Sequence, residues 1–195
     1  MKIMLRDIVA DSRSYRSFDE SKKIGAEDLR DLIETARLCP SAVNLQPLKY
    51  RLVYEHDEVE DVLALTKWGG LLKDVKLPPD GHHPTAFIAV CCDTSICENV
   101  DRARFDAGIA SQTIMLQACE LGYGGCIIGA FNPDELSKTL LIPKKFKPIV
   151  LLALGVPDET VFLCEMPKSG ETAYYRDKAG IHYVPKRSAD EVIID

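Results

Sequence analysis

Apolar positions along the chain recur with periods that mark out most of its elements. Between Ala26 and Cys39, Leu29, Leu32, Ile33, Ala36 and Leu38 share one helical face, while Glu27, Asp28, Arg30, Asp31 and Glu34 cover the other. Pro40 must end that helix, because proline excludes the helical conformation from the residue before it, and the stretch Pro40 to Pro47 has loop chemistry. A shorter helical pattern runs from Ile3 to Val9, broken by the polar run Asp11 to Arg16. The longest one runs from Asp101 to Leu121. There Ala107, Ile109, Ala110, Ile114, Leu116, Ala118, Cys119 and Leu121 cover so much of the circumference that a largely buried, central helix is predicted, stopped by Gly122 at C′.

Strands are predicted where the period falls to two or the chain turns wholly apolar: Lys49 to Tyr54, Thr85 to Cys92, Gly124 to Ile128 and Pro148 to Gly155. Asp57 with Glu60 predicts a capping box opening a short helix through Leu65. Asn132, with Pro133 at the first helical position and Glu135 closing a box, predicts another, and Ser188 with Glu191 a last one. Trp68 to Pro84, with three glycines and the pair Pro78-Pro79, shows no period and reads as a mobile connection. Helices and strands mix without regular βα alternation. That predicts an α+β fold with helices packed on a central sheet, in a single domain over residues 1–195 without repeat or linker.

Charge and composition narrow the function classes. The net charge of −6 removes the broad electrostatic reason to expect nucleic acid or an anionic membrane as partner. The N-terminal stretch has no apolar core followed by a cleavage site, and no segment approaches the ~20 apolar residues that span a bilayer. The seven cysteines, Cys39, Cys91, Cys92, Cys97, Cys119, Cys126 and Cys164, form no CxxC pair or framework, which fits reduced thiols and a cytoplasmic protein. Cys91 and Cys92 are expected to point to opposite faces of a strand as inert packing groups. His82-His83 lacks a spaced third ligand, so no metal is expected there.

Four short stretches carry candidate chemistry. Arg13-Ser14-Tyr15-Arg16-Ser17-Phe18 places two guanidinium forks and a hydroxyl in a loop, suited to a phosphate and neighbouring sugar hydroxyls or simply to solvent. Pro40-Ser41-Ala42-Val43-Asn44-Leu45-Gln46-Pro47 can present amides and a hydroxyl to a flat heteroaromatic ring, or merely end a helix. Gly122 to Gly129 holds glycines that follow a helix and enter a strand. This is the reverse of a dinucleotide-binding turn, though close backbone approach to a planar ligand is allowed. Lys186-Arg187 is a basic pair, either a surface pair or an anion ligand.

Taken together, Arg-Ser-x-Arg-x-Phe near the N-terminus, a helix ending in Pro-Ser-x-x-Asn-x-Gln-Pro, and Asp106, Gly108, Ala110 and Gln112 near the start of the long helix resemble the nitroreductase family. The Leu-Gly-x-Gly that ends this helix and the closing Val-Pro-Lys-Arg-Ser extend the likeness from about Leu5 to Ile194. The resemblance implies an α-β-α sandwich with a central mixed or antiparallel sheet, an intertwined homodimer, and FMN in two clefts at the subunit interface. It implies that Arg13, Ser14, Arg16, Lys186 and Arg187 hold the phosphate and ribityl chain, with Arg16 also stabilising negative charge near N1 of reduced flavin. Pro40, Ser41, Ala42 and Asn44, with Gln46 nearby, would reach the flavin from the other subunit, while Ile127, Ile128 and Gly129 line the ring. Family members often carry Arg and Ser where this chain has Ser12 and Ala42, a loss of one basic group and one hydroxyl at the FMN site.

The activity so implied is hydride transfer from NADH or NADPH through flavin to a nitroaromatic, quinone or similar small-molecule acceptor, in a ping-pong cycle that needs no acid–base residue. Two further readings are a specialised flavoenzyme of the same fold, such as a dehalogenase or small-molecule dehydrogenase, and a flavin-binding protein without turnover of its own.

Overall fold

The strand predicted from an unbroken apolar run is the spine of the molecule. In the computed structural model, which describes residues 4–72 and 75–194, that strand is β2 (Ala86–Asp93), buried along its whole length. It pairs antiparallel with β1 (Leu48–Val53) on one side and β4 (Phe146–Gly155) on the other, and β3 (Gly124–Ile128) pairs antiparallel with β4. The order is β1-β2-β4-β3, so this sheet is wholly antiparallel rather than mixed.

Side chains alternate across β2 as strand geometry requires. Ala86, Ile88, Val90 and Cys92 pack against α2 (Ala26–Ala36) and α4 (Val100–Glu120) through Leu29, Leu32, Ile114 and Ala118. Phe87, Ala89 and Cys91 face α3 (His56–Ala64) and α5 (Pro133–Thr139) through Val59, Val62 and Leu136. Helices therefore cover both faces, and Cys91 and Cys92 do occupy opposite layers. Burial pushes their thiols up to about 12 and about 11, so both stay protonated and unreactive.

Local signals placed the remaining boundaries closely. Gly122 sits at φ 82, with its N–H on Cys119 O and the Tyr123 N–H on Ala118 O, a Schellman end to α4. Ser188 and Glu191 make both halves of the capping box of α6 (Ala189–Val192). Asn132 accepts from the amides of Asp134 and Glu135 at the start of α5, without the reciprocal Glu135 bond.

Several boundaries differ from expectation. α1 spans Leu5–Asp11; Ile3 lies outside the described residues. α2 stops at Ala36, because the amides of Leu38 and Cys39 turn to the i−3 carbonyls of Thr35 and Ala36. The Asp57/Glu60 box does not form: α3 opens at Glu55 with no side-chain cap, and Asp57 lies in its first turn. α4 is only half buried. Ala103, Asp106, Ala107, Ala110, Ser111, Ile114, Met115 and Ala118 face inward, whereas Phe105 is 74% exposed, and Gly108 and Gln112 are exposed beside it. A second sheet was not foreseen. β5 (Val161–Glu165), β6 (Tyr175–Arg176) and β7 (His182–Lys186) assemble in the order β5-β7-β6, with β5 and β7 parallel.

The connection after α3 is tied down where it is described. Thr66 bridges to Phe131, the Lys67 amide donates to Ala130 O, and the Leu71 amide donates to the Tyr174 hydroxyl. Trp68 packs into the α3/α5 layer and donates its indole N–H to Thr66 Oγ1 at 2.7 Å. Lys73 and Asp74, within the predicted mobile stretch, lie outside the described residues.

Candidate functional site

The predicted site residues fall into two groups, fixed to different stretches of α4. The first is the loop from Ser12 to Phe18. Its path is set by a parallel bridge between Ser14 and Gly125, with the Tyr15 amide on Gly125 O at 2.9 Å, and by Ser12 Oγ reaching Met115 O at 3.4 Å. Three glycines make this close fit possible. A Cβ on Gly124 would strike Tyr15 and Pro157, one on Gly125 would strike Ala153 O and Met115, and one on Gly155 would strike Phe18. Within the Gly122–Gly129 stretch, Gly124 thus seats the neighbouring loop of the same chain, and Gly125 lets β3 lie close against Ala153 and Met115. Gly122, at the end of α4, and Gly129, just past β3, are open on their Cβ sides.

Within this loop Ser14 is exposed, and Arg13 donates from Nη2 to Val9 O at 2.5 Å while its buried Nε has no partner among the described residues. Farther along β3, Ile127 is 43% exposed and Ile128 is buried in the α3/α5 layer, and Gly129 follows the strand. Immediately beyond β3, a cleft of about 570 Å³ opens between Ala64, Thr66, Lys67, Ala130, Phe131 and Glu135.

Arg16 lies deeper than its loop neighbours, at 9% exposure. Its amide donates to Glu159, whose carboxylate also takes Arg176 in an ion pair. Its guanidinium donates to Ser14 O at 3.0 Å, lies 3.5 Å from His182 Nε2 and packs 5.0 Å from the centre of the Tyr174 ring. His182 is buried, its Nδ1 without a partner among the described residues, and the Tyr174 ring packs against it in a tilted arrangement, centroids 5.2 Å apart. Burial together with the Arg16 and Arg176 charges holds the His182 imidazole down at about 4, so it is neutral near pH 7. Burial also raises the Cys126 thiol, against the opposing pull of Arg16 and Ser14.

The second group is the turn that follows α2. Ser41 Oγ donates to Asp106 Oδ2 at 2.5 Å and accepts the Gln46 amide at 2.9 Å, while the Ala42 amide donates to Asp106 Oδ1 at 3.1 Å. Gln46 Nε2 reaches Asn44 Oδ1 at 3.1 Å. Val43, Asn44 and Gln46 are all held at positive φ, of 49°, 56° and 52°. For the β-branched Val43, 80% exposed, this is an unfavourable conformation that the Asp106 anchor keeps in place. The Ser41 hydroxyl is thus occupied in shaping the turn, which presents Ala42, Val43 and Asn44 outward. Pro40 and Gln46 line a smaller cavity of about 200 Å³ above Asp106.

Within one chain the two groups do not meet. Asp106 and Met115, their respective anchors, stand about 14 Å apart along α4 at 1.5 Å of rise per residue. Lys186 and Arg187 close β7 on the second sheet, both exposed; Arg187 pairs with Glu191 at 3.5 Å, and neither is bonded to Arg13 or Ser14 among the described residues. His83 Nδ1 lies 3.0 Å from Glu60 and 3.8 Å from Glu20. Two features escaped the sequence reading. Asp106 was visible only as a letter in a motif, not as the buried anchor of a turn. The Glu159, Tyr174, Arg176 and His182 cluster gave no local signal at all.

Comparison with known proteins agrees with this architecture. The model of the nitroreductase family matches residues 9–78 and 98–156, while residues beyond 156, which carry the second sheet, lie outside the match. A relative from Methanothermobacter thermautotrophicus, whose given name couples NADH dehydrogenase with NAD(P)H nitroreductase, is 29% identical over 163 residues, covering 81% of this chain and 80% of its own. A nitroreductase family protein from Streptococcus pneumoniae superposes with a TM-score of 0.68 at 20% identity, covering 98% of this chain and all of its own. A structure from Exiguobacterium sibiricum, described as a nitroreductase in complex with FMN, gives 0.66 at 23% identity over 82% of this chain and 90% of that one. With well over half its length matched by the family model and the motif residues in the places just described, the chain belongs to the nitroreductase family.

Proposed function

We propose that the protein is the FMN-dependent NAD(P)H oxidoreductase that its family implies, working as a homodimer and passing hydride to a nitroaromatic, quinone or similar electrophilic acceptor in a ping-pong cycle. The observation that carries this reading is the separation of the two half-sites along α4. No contact among the described residues joins the two groups within one chain, and a second copy crossing the exposed face of α4 would bring its own turn to the first copy's loop. Gly108 fits such a crossing. Glycine inside a helix costs about 1 kcal/mol relative to alanine, and nothing among the described residues lies near enough to call for it. Exposed Phe105 on the same helix, an α1 with no buried residue, and Ile193 and Ile194 at 61% and 98% exposure supply further apolar surface for a partner.

The residues present suit FMN. Exposed Ser14, the unpartnered Arg13 Nε and the free-standing Lys186 are donors for a phosphate, and the open side of Gly129 beside Ile127 leaves room for a flat ring. FMN supplies the hydride chemistry when bound; the protein contributes position and field. Arg13, Ser14, Lys186 and Arg187 would hold the phosphate end, and Arg16 would stabilise negative charge on the reduced ring. Asp106 holds the Ser41–Ala42 end of the turn, and the turn so fixed would shield the cofactor without reordering. The cleft beside Thr66 and Phe131 would admit nicotinamide and acceptor in turn, one leaving before the other enters.

The test is anaerobic. Purified protein titrated with FMN should quench flavin fluorescence to one FMN per chain, scatter light as a dimer, and bleach on NADH or NADPH with oxidation restored by a quinone. Failure to bind FMN refutes the cofactor assignment; binding without bleaching refutes the reductase; tight binding by a monomer refutes the shared site.

A further inference from the structure

The family match ends at residue 156, yet Arg16 is seated against groups that come later in the chain. Glu159 offers one carboxylate oxygen to the Arg16 amide and the other to Arg176, and its side chain is only 5% exposed. Arg176, 14% exposed, has a buried Nε with no partner among the described residues. His182, wedged beside Arg16, is neutral near pH 7 and adds no charge. The Glu159 carboxylate thus pairs with the Arg176 guanidinium and holds the Arg16 backbone, while the Arg16 guanidinium makes no ion pair with it; together the three groups carry one net positive charge in a poorly solvated place where charge is weakly screened.

We propose that Glu159 and Arg176 are positioning residues that set how strongly Arg16 favours reduced over oxidised flavin, Glu159 by anchoring the Arg16 backbone and offsetting part of its charge, Arg176 by cancelling that offset. The inference rests on the assignment of Arg16 to the flavin. A reduced flavin is anionic and an oxidised one neutral, so any change in the field of the cluster acts on one state and not on the other, and only such a difference moves a potential. The second sheet, through β6 and β7, is then the part of the chain that adjusts the cofactor chemistry of a family fold.

The experiment is equilibration of the FMN-loaded protein with a redox dye. Glu159→Gln keeps an acceptor for the Arg16 amide and removes only the negative charge. It should raise the ratio of reduced-flavin to oxidised-flavin affinity at least threefold, which is about 14 mV upward for a two-electron couple. Arg176→Gln should move the ratio the other way by a similar factor, Arg176→Lys should hold it near the parent value, and the Glu159→Gln/Arg176→Gln double variant should return close to it. Opposite signs and cancellation are not produced by a merely structural role, which would weaken FMN in both redox states together. If the Glu159 variant does not fold, the Gln and Lys replacements at Arg176 decide the matter alone. Unmoved potentials in these variants, with Arg16→Ala still shifting it, overturn the inference and leave the flavin site standing. An Arg16→Ala protein with the parent potential overturns the Arg16 assignment itself.

Discussion

Replacing His182 with glutamine removes a proton-binding group from a buried position while keeping a polar atom where Nε2 faces Arg16. In the folded chain His182 takes up a proton only near pH 4, held there by burial and by the Arg16 and Arg176 charges, against an ordinary value of 6.5. Above pH 7 the imidazole is neutral in folded and unfolded chains alike, so it contributes no pH dependence. Between 6.5 and about 4 the unfolded chain binds the proton and the folded one does not, so stability rises with pH across this window and falls as pH is lowered. At about 1.4 kcal/mol per pH unit for one proton, the span from 6.5 to about 4 corresponds to roughly 3 kcal/mol. Urea unfolding of parent and His182→Gln, at one fixed protein concentration and at half-unit steps from pH 7.5 to 4.5, should give curves that run parallel above pH 7 and diverge below 6.5. The variant should lose less stability with acid. Curves that stay parallel to pH 4.5 would show that His182 is protonated at no cost, and with it that the Arg16 cluster is not as buried and positive as described.

Other expectations follow from the same contacts. Asp106→Ala should cost about 1.5–3 kcal/mol in urea unfolding through its charged hydrogen bonds, and should weaken FMN although Asp106 belongs to no phosphate-binding group; unchanged FMN affinity in a folded variant would refute the anchor role. Gly125→Ala should destabilise by about 1–3 kcal/mol through overpacking, whereas Gly129→Ala, with open space at its Cβ, should stay within about 0.5 kcal/mol of the parent and still lower FMN affinity; equal destabilisation of the two would contradict the geometry around β3. Arg13→Ala should weaken FMN with little change in potential, and Arg16→Ala should lower the potential, both readable by fluorescence titration and dye equilibration. Equal loss of affinity with an unmoved potential in both would refute the division of roles.

What the sequence disclosed follows the range of the forces involved. Schellman and capping signals at Gly122, Asn132 and Ser188 act over a few residues and placed their helix ends well. The apolar run of β2 reports burial directly. The second sheet was hidden because its stability comes from pairing β5 with β7, whose partners Val161 and His182 are separated by the rest of β5, a long irregular connection and the two-residue β6, and because Pro185 inside β7 argues against a strand. The open face of α4 was misread for a related reason: small and apolar side chains all round a helix look the same whether they are covered by their own chain or by another. The site residues were legible only as motifs. That Ser41 faces Asp106, or that Arg16 sits on Glu159, 143 positions away, is a tertiary fact without a local trace.

The spacing of the two half-sites along α4 has a genetic consequence. In the proposed dimer each cleft takes its loop from one copy and its turn from the other, so a lesion at Arg13 and a lesion at Asp106 on separate copies can be sorted into the same cleft. Two inactive alleles expressed together would then form mixed dimers carrying one doubly damaged cleft and one wholly intact cleft, and activity would reappear at about a quarter of the parent level if copies pair at random in a twofold-symmetric dimer. The same two lesions placed on a single copy, paired with an unaltered one, would instead damage both clefts of the mixed dimer, one lesion in each.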